Sequence, residues 1–376
     1  MSENTTTARV VVIGGGILGT STALQLARAG ATVTLLTEGT LADGASGRSL
    51  SWLNTAGIRS EAYHRLRQLG IDRYRTFLAR HDASGYLRFD GGLTWAPEGE
   101  SYRPVFEYER SIGYDAQWLR SDEVAQWTPG VDASAIAAEG AIFNPGEGWV
   151  DIPSLVAELA RQFRALGGTV IENAGHASVV VEDGRAVGAS TPSGTRYDAD
   201  AVLLAAGPAV PAEVAKVGVT IEDASPIALL VWTKPVQTGL TAVLNTPRVA
   251  VRPTPSGALA LDSAWSEEAL IVDADGRVTV PDGVVDELLA EASAVLAGNP
   301  SLELDGFGIG PKPIPGDGEP VFGELEGIDG YFVAFTHSGA TLGLIAGELL
   351  AGEILSGEKS PLLDTFRPSR FQAALV

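Results

Sequence analysis

The chain of 376 residues contains no cysteine. That excludes disulfides, a thiolate nucleophile, and any metal or iron–sulfur site built on cysteine. Histidine is almost as scarce. His64, His81, His176 and His337 are the only four, and no H-x-x-x-H or H-x-E pattern joins them, so no metal site is expected. There is no G-x-S-x-G turn and no P-loop lysine, which removes two common catalytic motifs. Positive charge is in deficit: Lys and Arg total 26 against 47 acidic residues, a net charge of −21. Nucleic acid and anionic membranes both need a basic face, so neither is an expected partner. The segment MSENTTTAR lacks the apolar core of a signal peptide, and no run reads as a membrane span. The expected compartment is the cytoplasm.

What is present reads as an ordinary globular α/β chain, with 45% hydrophobic and 19% charged residues. Its length suggests about two domains. The most informative stretch is Arg9 to Glu38, RVVVIGGGILGTSTALQLARAGATVTLLTE. Val10 to Ile13 form the apolar β-branched run of a buried parallel strand. Gly14, Gly16 and Gly19 then supply G-x-G-x-x-G. The first glycine allows a tight turn, the second lets a pyrophosphate approach the backbone, and the third lets helix pack close on strand. A helix from Ile17 to about Ala29 aims its N-terminus at that phosphate, where free N–H groups favour negative charge. Gly30 ends the helix. A second strand, Thr32 to Leu36, leads to Glu38, placed to accept from ribose hydroxyls.

Two further segments continue the nucleotide-type pattern. SLVAELARQFRALGG has helical spacing and closes at Gly167 and Gly168. TVIENA reads as a strand, SVVVEDGRAVGASTPSGTRYDA as a meander turning at Asp183-Gly184, and ADAVLLAAGP as a buried strand ending at Gly207. This surface is extra to a plain NAD domain and suits the adenosine end of a longer cofactor such as FAD. Near the carboxyl end, Tyr331 to Phe335 form a strand, His337 to Gly339 a turn, and Ala340 to Leu355 an apolar helix. That turn sets free N–H groups toward an electron-rich oxygen. The interleaving predicts a discontinuous nucleotide domain over 1–85, 150–215 and 310–376. A mainly antiparallel-sheet domain is expected over 86–149 and 216–309, with a hairpin in YLRFDGGLTWA and a helix near 284–298. Small-molecule sites favour such domain interfaces.

These pieces resemble the D-amino-acid oxidase superfamily of FAD enzymes, on the branch with glycine oxidase and sarcosine oxidase. The matching stretches are VVIGGGILGTSTALQLARAGATVTLLTEG, LADGASGRSLSWLN, ADAVLLAAGP and DGEPVFG…AFTHSGATLGLIAG. The resemblance implies a Rossmann-type domain with FAD in an extended pose, covalent or not, and a sheet-based substrate domain. The absence of cysteine excludes a cysteine tether. The resemblance also implies that Gly14, Gly16, Gly19, Ile17 and Leu18 hold the pyrophosphate and Glu38 the ribose. Ala45, Ser46, Gly47, Arg48 and Ser49 would form the loop running toward the flavin, Arg48 meeting phosphate or ring carbonyls. Ala177 would meet adenine, Ala206 and Gly207 would close over the cofactor, and Gly339, Ala340, Thr341 and Leu342 would face the flavin pyrimidine.

The activity implied is oxidation of a C–N bond in an amino acid or N-substituted glycine. Hydride passes to flavin N5, the imine is hydrolysed, and O₂ becomes H₂O₂. A dehydrogenase with another acceptor and a non-catalytic electron-transfer subunit are the alternatives. One departure stands out. Where relatives often carry an Arg before the terminal DG, this chain has Lys312 in GPKPIPGDGEP. Lys312 is one of only four lysines against 22 arginines; it offers a point charge to a carboxylate where Arg would offer a fork. Arg59 is a second carboxylate candidate. His64 is a candidate contact to substrate or flavin edge, as are Trp52, Asn54, Trp232 and Trp265. Each also has an ordinary reading: a surface ion pair of Arg59 with Glu61, a core His64, core tryptophans, a solvated Arg48 or Lys312. His337 reads as structural or as a flavin-edge contact.

Overall fold

The computed structural model describes residues 7–372. The chain begins with β1 (Arg9–Ile13), α1 (Ile17–Arg28) and β2 (Thr32–Leu36). It continues through β3 (Trp52–Leu53), α2 (Glu61–Arg80), β4 (Leu87–Arg88), β5 (Gly92–Thr94), α3 (Arg103–Ser111), β6 (Gln117–Leu119), α4 (Ser121–Trp127), β7 (Ala141–Asn144) and β8 (Gly148–Val150). Then come α5 (Ile152–Ala165), β9 (Thr169–Ile171), β10 (Ser178–Glu182), β11 (Arg185–Ser190), β12 (Arg196–Asp198), β13 (Ala201–Leu204) and α6 (Val210–Ala215). Next are β14 (Ile227–Thr233), β15 (Val243–Asn245), β16 (Ala250–Pro253), β17 (Leu259–Asp262), α7 (Ala264–Glu268), β18 (Ile271–Val272), β19 (Val278–Thr279) and α8 (Val284–Ala294). The last elements are β20 (Leu304–Pro311), β21 (Val321–Glu324), β22 (Tyr331–Phe335) and α9 (Gly339–Ser356).

Contacts divide the chain into two units. The first comprises the described residues through Gly47, with Ile152–Pro226 and Pro311 onward; the second comprises Arg48–Asp151 and Ile227–Gly310. The expected boundary at 85 therefore lies at 47. The reason is α2, whose buried stripe of Tyr63, His64, Leu66, Arg67, Gly70, Ile71, Tyr74 and Phe77 packs within the second unit.

In the first unit a six-stranded sheet runs in the order β21-β22-β13-β1-β2-β9. Strands β22, β13, β1, β2 and β9 are parallel and β21 is antiparallel. Alternation splits β1 between two layers. Val12 meets α1, whereas Val11 and Ile13 join a core with Ala186 and Ala189 of the β10–β12 meander. Both faces are covered, so the strand needs apolar residues throughout. Gly30, at φ +92, ends α1 as expected. Helix α9 is long and apolar enough to cross a membrane by length and composition. It packs against α1, and a methyl group built on Gly347 would stand 2.2 Å from Ser21 Oγ. That is the contact of a core helix.

The second unit is built on an eight-stranded sheet, β20-β14-β17-β16-β15-β5-β7-β6. It is not wholly antiparallel, since β15 and β5 are parallel. The predicted hairpin YLRFDGGLTWA does not form. Strand β4 pairs with β8 in a small separate sheet, while β5 pairs with β7 and β15. Gly91, at φ +90, and Gly92 redirect the chain between the two sheets. One face of the large sheet buries Leu93, Phe143, Val231, Leu244, Val251 and Leu261 against Leu288, Leu289 and Ala292 of α8. Period-two alternation and register put Gly92, Asn144, Trp232, Arg252 and Ala260 on the opposite face. Trp265, a candidate sheet residue from the sequence, lies instead on α7 and packs with the α8-side core.

Candidate active site

Two groups of closely placed residues stand out, one in each unit. In the first unit the parallel strands end together, so the loops after β1, β2, β13 and β22 share one edge. Such a carboxyl edge is where open α/β sheets bind ligands. The glycines there are close-packing requirements. A methyl on Gly14 would stand 2.2 Å from the Ala205 carbonyl oxygen, and Gly14 holds φ +121. One on Gly19 would stand 1.9 Å from the Gly14 carbonyl oxygen. One on Gly16 would meet Ser46 Oγ at 2.8 Å. Ser46 Oγ accepts a hydrogen bond from the Ile17 N–H at 3.0 Å. Gly339 approaches Ile17, its built methyl 3.5 Å from Ile17 Cγ2. The structure thus brings together Gly14, Gly16, Ile17, Gly19, Ser46, Ala205 with its neighbours Ala206 and Gly207, and Gly339. The first turns of α1 and α9 contain no acidic residue, so neither positive helix end is cancelled locally.

The adenosine-side candidates also converge. Residues 173–175 run beside 37–39 through Asn173 N–H to Gly39 O, Ala174 N–H to Thr37 O and Gly175 N–H to Glu38 O. Next to them His176 reaches Glu38 at 3.7 Å and Glu213 at 2.5 Å. The buried Glu213 carboxyl is pushed up by burial, but hydrogen bonds from His176 and Lys216 hold it below its ordinary value. Ala177, 5% exposed, follows directly. A bare glycine cradle, an exposed acid at the end of β2, and a helix end free of acids fit a dinucleotide. Lys312 lies after β20 in this unit, half-buried, its N–H donating to Pro226 O at 2.9 Å.

The second unit begins at Arg48. Its side chain lies along β20: methyls built on Gly308 and Gly310 would meet Arg48 Cδ at 2.8 Å and Nη2 at 2.7 Å, with Trp232 3.1 Å from the first. Two glycines in a strand thus clear the seat of one arginine. Ser49 Oγ accepts from the Ser51 N–H. Beyond this loop lies a buried polar network. Arg67 donates from Nε to Asn54 O at 2.9 Å and from Nη2 to Asn54 Oδ1 at 2.7 Å. His64 is 6% exposed, its Nδ1 3.0 Å from Thr55 Oγ1. Burial, with Arg67 and Arg59 nearby, holds its pKa below the ordinary 6.5, so the ring is neutral at pH 7. Tyr114 donates to Glu147 Oε1 at 2.5 Å. Glu147 is fully buried, and burial raises its pKa to about 8 despite that bond. Glu109 accepts from Gly57 N–H and Asn144 Nδ2, and burial raises its pKa too. Arg59 is half-buried, and its Nε has no hydrogen-bond partner. Burial and Arg67 lower its pKa to about 10, leaving it charged at neutral pH.

Sequence reasoning did not single out Arg67, Glu109, Tyr114 and Glu147, which form this buried network. Arg67 had a signal: it sits four residues after Tyr63 on the buried stripe of α2, where a charge is out of pattern. Glu147, in a loop after Pro145-Gly146, had none.

Fold and cradle together define a dinucleotide-binding oxidoreductase of the flavoprotein class. The comparisons agree. The family model described as "DAO: FAD dependent oxidoreductase" matches residues 9–353. The chain belongs to that family and is an FAD-dependent oxidoreductase. It is 27% identical to a glycine oxidase from Bacillus licheniformis over 96% of this chain and 97% of that protein. It is also 27% identical to a glycine oxidase from Geobacillus kaustophilus over 91% of each. The crystal structure of glycine oxidase from Geobacillus kaustophilus superposes with a TM-score of 0.80 at 23% identity, covering 97% of this chain and 99% of that one.

Proposed function

We propose that this enzyme oxidises the C–N bond of an amino acid or secondary amine related to glycine, with O₂ as electron acceptor. The observation that carries the reading is the end-to-end match to two glycine oxidases of a chain whose first unit holds a dinucleotide cradle. FAD, when bound, supplies the hydride acceptor, leaving an imine for water to hydrolyse and electrons that pass to O₂ as H₂O₂. The backbone of Gly14–Gly19 and the N-terminus of α1 hold the pyrophosphate. Glu38 accepts from the adenosine ribose, Ala177 borders the adenine, and Ala206 and Gly207 close over the cofactor. The α9 start at Gly339–Leu342 stabilises negative charge on the pyrimidine side. Ala45, Ser46, Arg48 and Ser49 line the route between. Lys312 binds the substrate carboxylate, and Arg59 and His64 make further substrate contacts.

The test is anaerobic mixing of the FAD-loaded protein with glycine, N-methylglycine and N-ethylglycine, followed by admission of air. Bleaching of the flavin band, its rapid return and H₂O₂ formation are expected. A flavin that stays oxidised with every amine overturns the reading. In Lys312→Met the KM for the amino acid should rise at least tenfold with FAD content unchanged, the loss expected for one charged hydrogen bond.

A further inference from the structure

The segment after β9 carries a half-exposed histidine that is held more firmly than a surface ring needs. Backbone hydrogen bonds lay residues 173–175 along 37–39, at the end of β2, and so bring the His176 side chain to that of Glu38. His176 Nε2 lies 2.5 Å from Oε1 of Glu213, on α6, and the Lys216 ammonium donates to the same oxygen. Glu213 is 4% exposed. Burial pushes its carboxyl up, but the two donors hold it below its ordinary pKa, so at neutral pH it is ionised and has no proton to give. Nε2 is therefore the donor, and the neutral ring presents Nδ1 as an acceptor. Nδ1 lies 3.7 Å from Glu38 Oε2, beyond hydrogen-bond length. Two acceptors thus stand side by side with no hydrogen bond joining them. The neighbouring Thr37 turns inward: a methyl built on Gly15 would stand 2.5 Å from its Oγ1, which donates to the Thr40 carbonyl oxygen. That contact sets the end of β2 against the glycine turn, where a pyrophosphate runs on into its ribose. The ribose of adenosine carries two adjacent hydroxyls, one donor for each of the two acceptors.

We infer that His176 Nδ1 and the Glu38 carboxylate grip the adenosine ribose together, one hydroxyl on each, with Glu213 as the positioning residue that turns the imidazole. This rests on the reading of Glu38 as a ribose acceptor and adds His176 to it as a residue that selects an intact diol. It is independent of which amine the enzyme oxidises.

The experiment strips the full chain of FAD and titrates it, by calorimetry, with FAD and with the FAD analogues built on 2′-deoxyadenosine and 3′-deoxyadenosine. Wild type should bind each analogue about tenfold more weakly than FAD, the loss expected for one hydrogen bond. His176→Phe keeps a ring and removes the acceptor. Its affinity for FAD should fall about tenfold, and one analogue should now bind as well as FAD while the other keeps its loss. Glu38→Ala should show the same pattern for the opposite analogue. His176→Asn, whose amide oxygen stands in for Nδ1, should recover part of the lost selectivity. Glu213→Gln should weaken selection only at the hydroxyl that His176→Phe identifies. A wild type that binds all three ligands alike overturns the grip. So does a His176→Phe protein that keeps both losses, which would mean that the ring only ties Glu38 to α6; the ribose role of Glu38 then stands if Glu38→Ala still erases one loss. A Glu38→Ala protein that keeps both losses ends the reading of Glu38 itself, and the grip with it.

Discussion

Glu147 shows how burial sets a charge state at a single residue. Its carboxyl is fully enclosed, and its pKa stands at about 8 against the ordinary 4.5. Between those values the folded protein holds a proton that the unfolded chain has released, so this residue makes stability fall as pH rises from about 4.5 to 8. The slope is at most about 1.4 kcal/mol per pH unit. Glu147→Gln keeps the acceptor for Tyr114 and removes the titration. Its denaturation midpoint should gain on that of wild type between pH 5.5 and 7.5; parallel midpoints across that interval would show that Glu147 does not hold the proton. His64 works in the opposite sense. Its lowered pKa means the unfolded state binds the extra proton, so its contribution is present above pH 6.5 and is lost as pH falls below that value.

At the scale of elements, α1 and α9 depend on one contact that glycine alone allows. Gly347 faces Ser21, with a built methyl only 2.2 Å from Ser21 Oγ, while Gly352 on the same helix faces open space. Two identical substitutions should therefore diverge. Gly347→Ala should cost about 1–3 kcal/mol by overpacking. Gly352→Ala should gain about 0.5–1 kcal/mol from helix propensity. Thermal unfolding of the two variants checks the sign difference, and equal shifts would mean the helices tolerate separation at Gly347. The same logic explains Gly308 and Gly310, which clear β20 for the Arg48 side chain.

For the whole molecule, the cofactor should act as a stabilising ligand. A dinucleotide that binds only the folded cradle stabilises it by about 2.7 kcal/mol at 100 times its Kd. Protein stripped of FAD should melt lower than the loaded protein and recover on titration with FAD, the midpoint rising with concentration. A midpoint indifferent to FAD would contradict the cradle built from Gly14, Gly16, Ser46 and Gly339.

What the sequence determined by itself was the local grammar of the first unit. A Val-rich strand, glycines where φ is positive or a neighbour is too close, a helix ended by Gly30 and an acid after the next strand are all set within about thirty residues, and short-range sterics enforce them. The meander turning at Asp183-Gly184 was legible for the same reason, both residues taking positive φ. Tertiary structure alone decided the rest. The strands of YLRFDGGLTWA read as a hairpin because adjacency in sequence is the only partner a sequence shows; β7, β8 and β15 proved the better partners. Arg48 on Gly308 and Gly310, and Tyr114 on Glu147, join residues whose separation along the chain says nothing about their meeting. Their charge states follow from desolvation, a property of the folded interior that no residue carries in isolation.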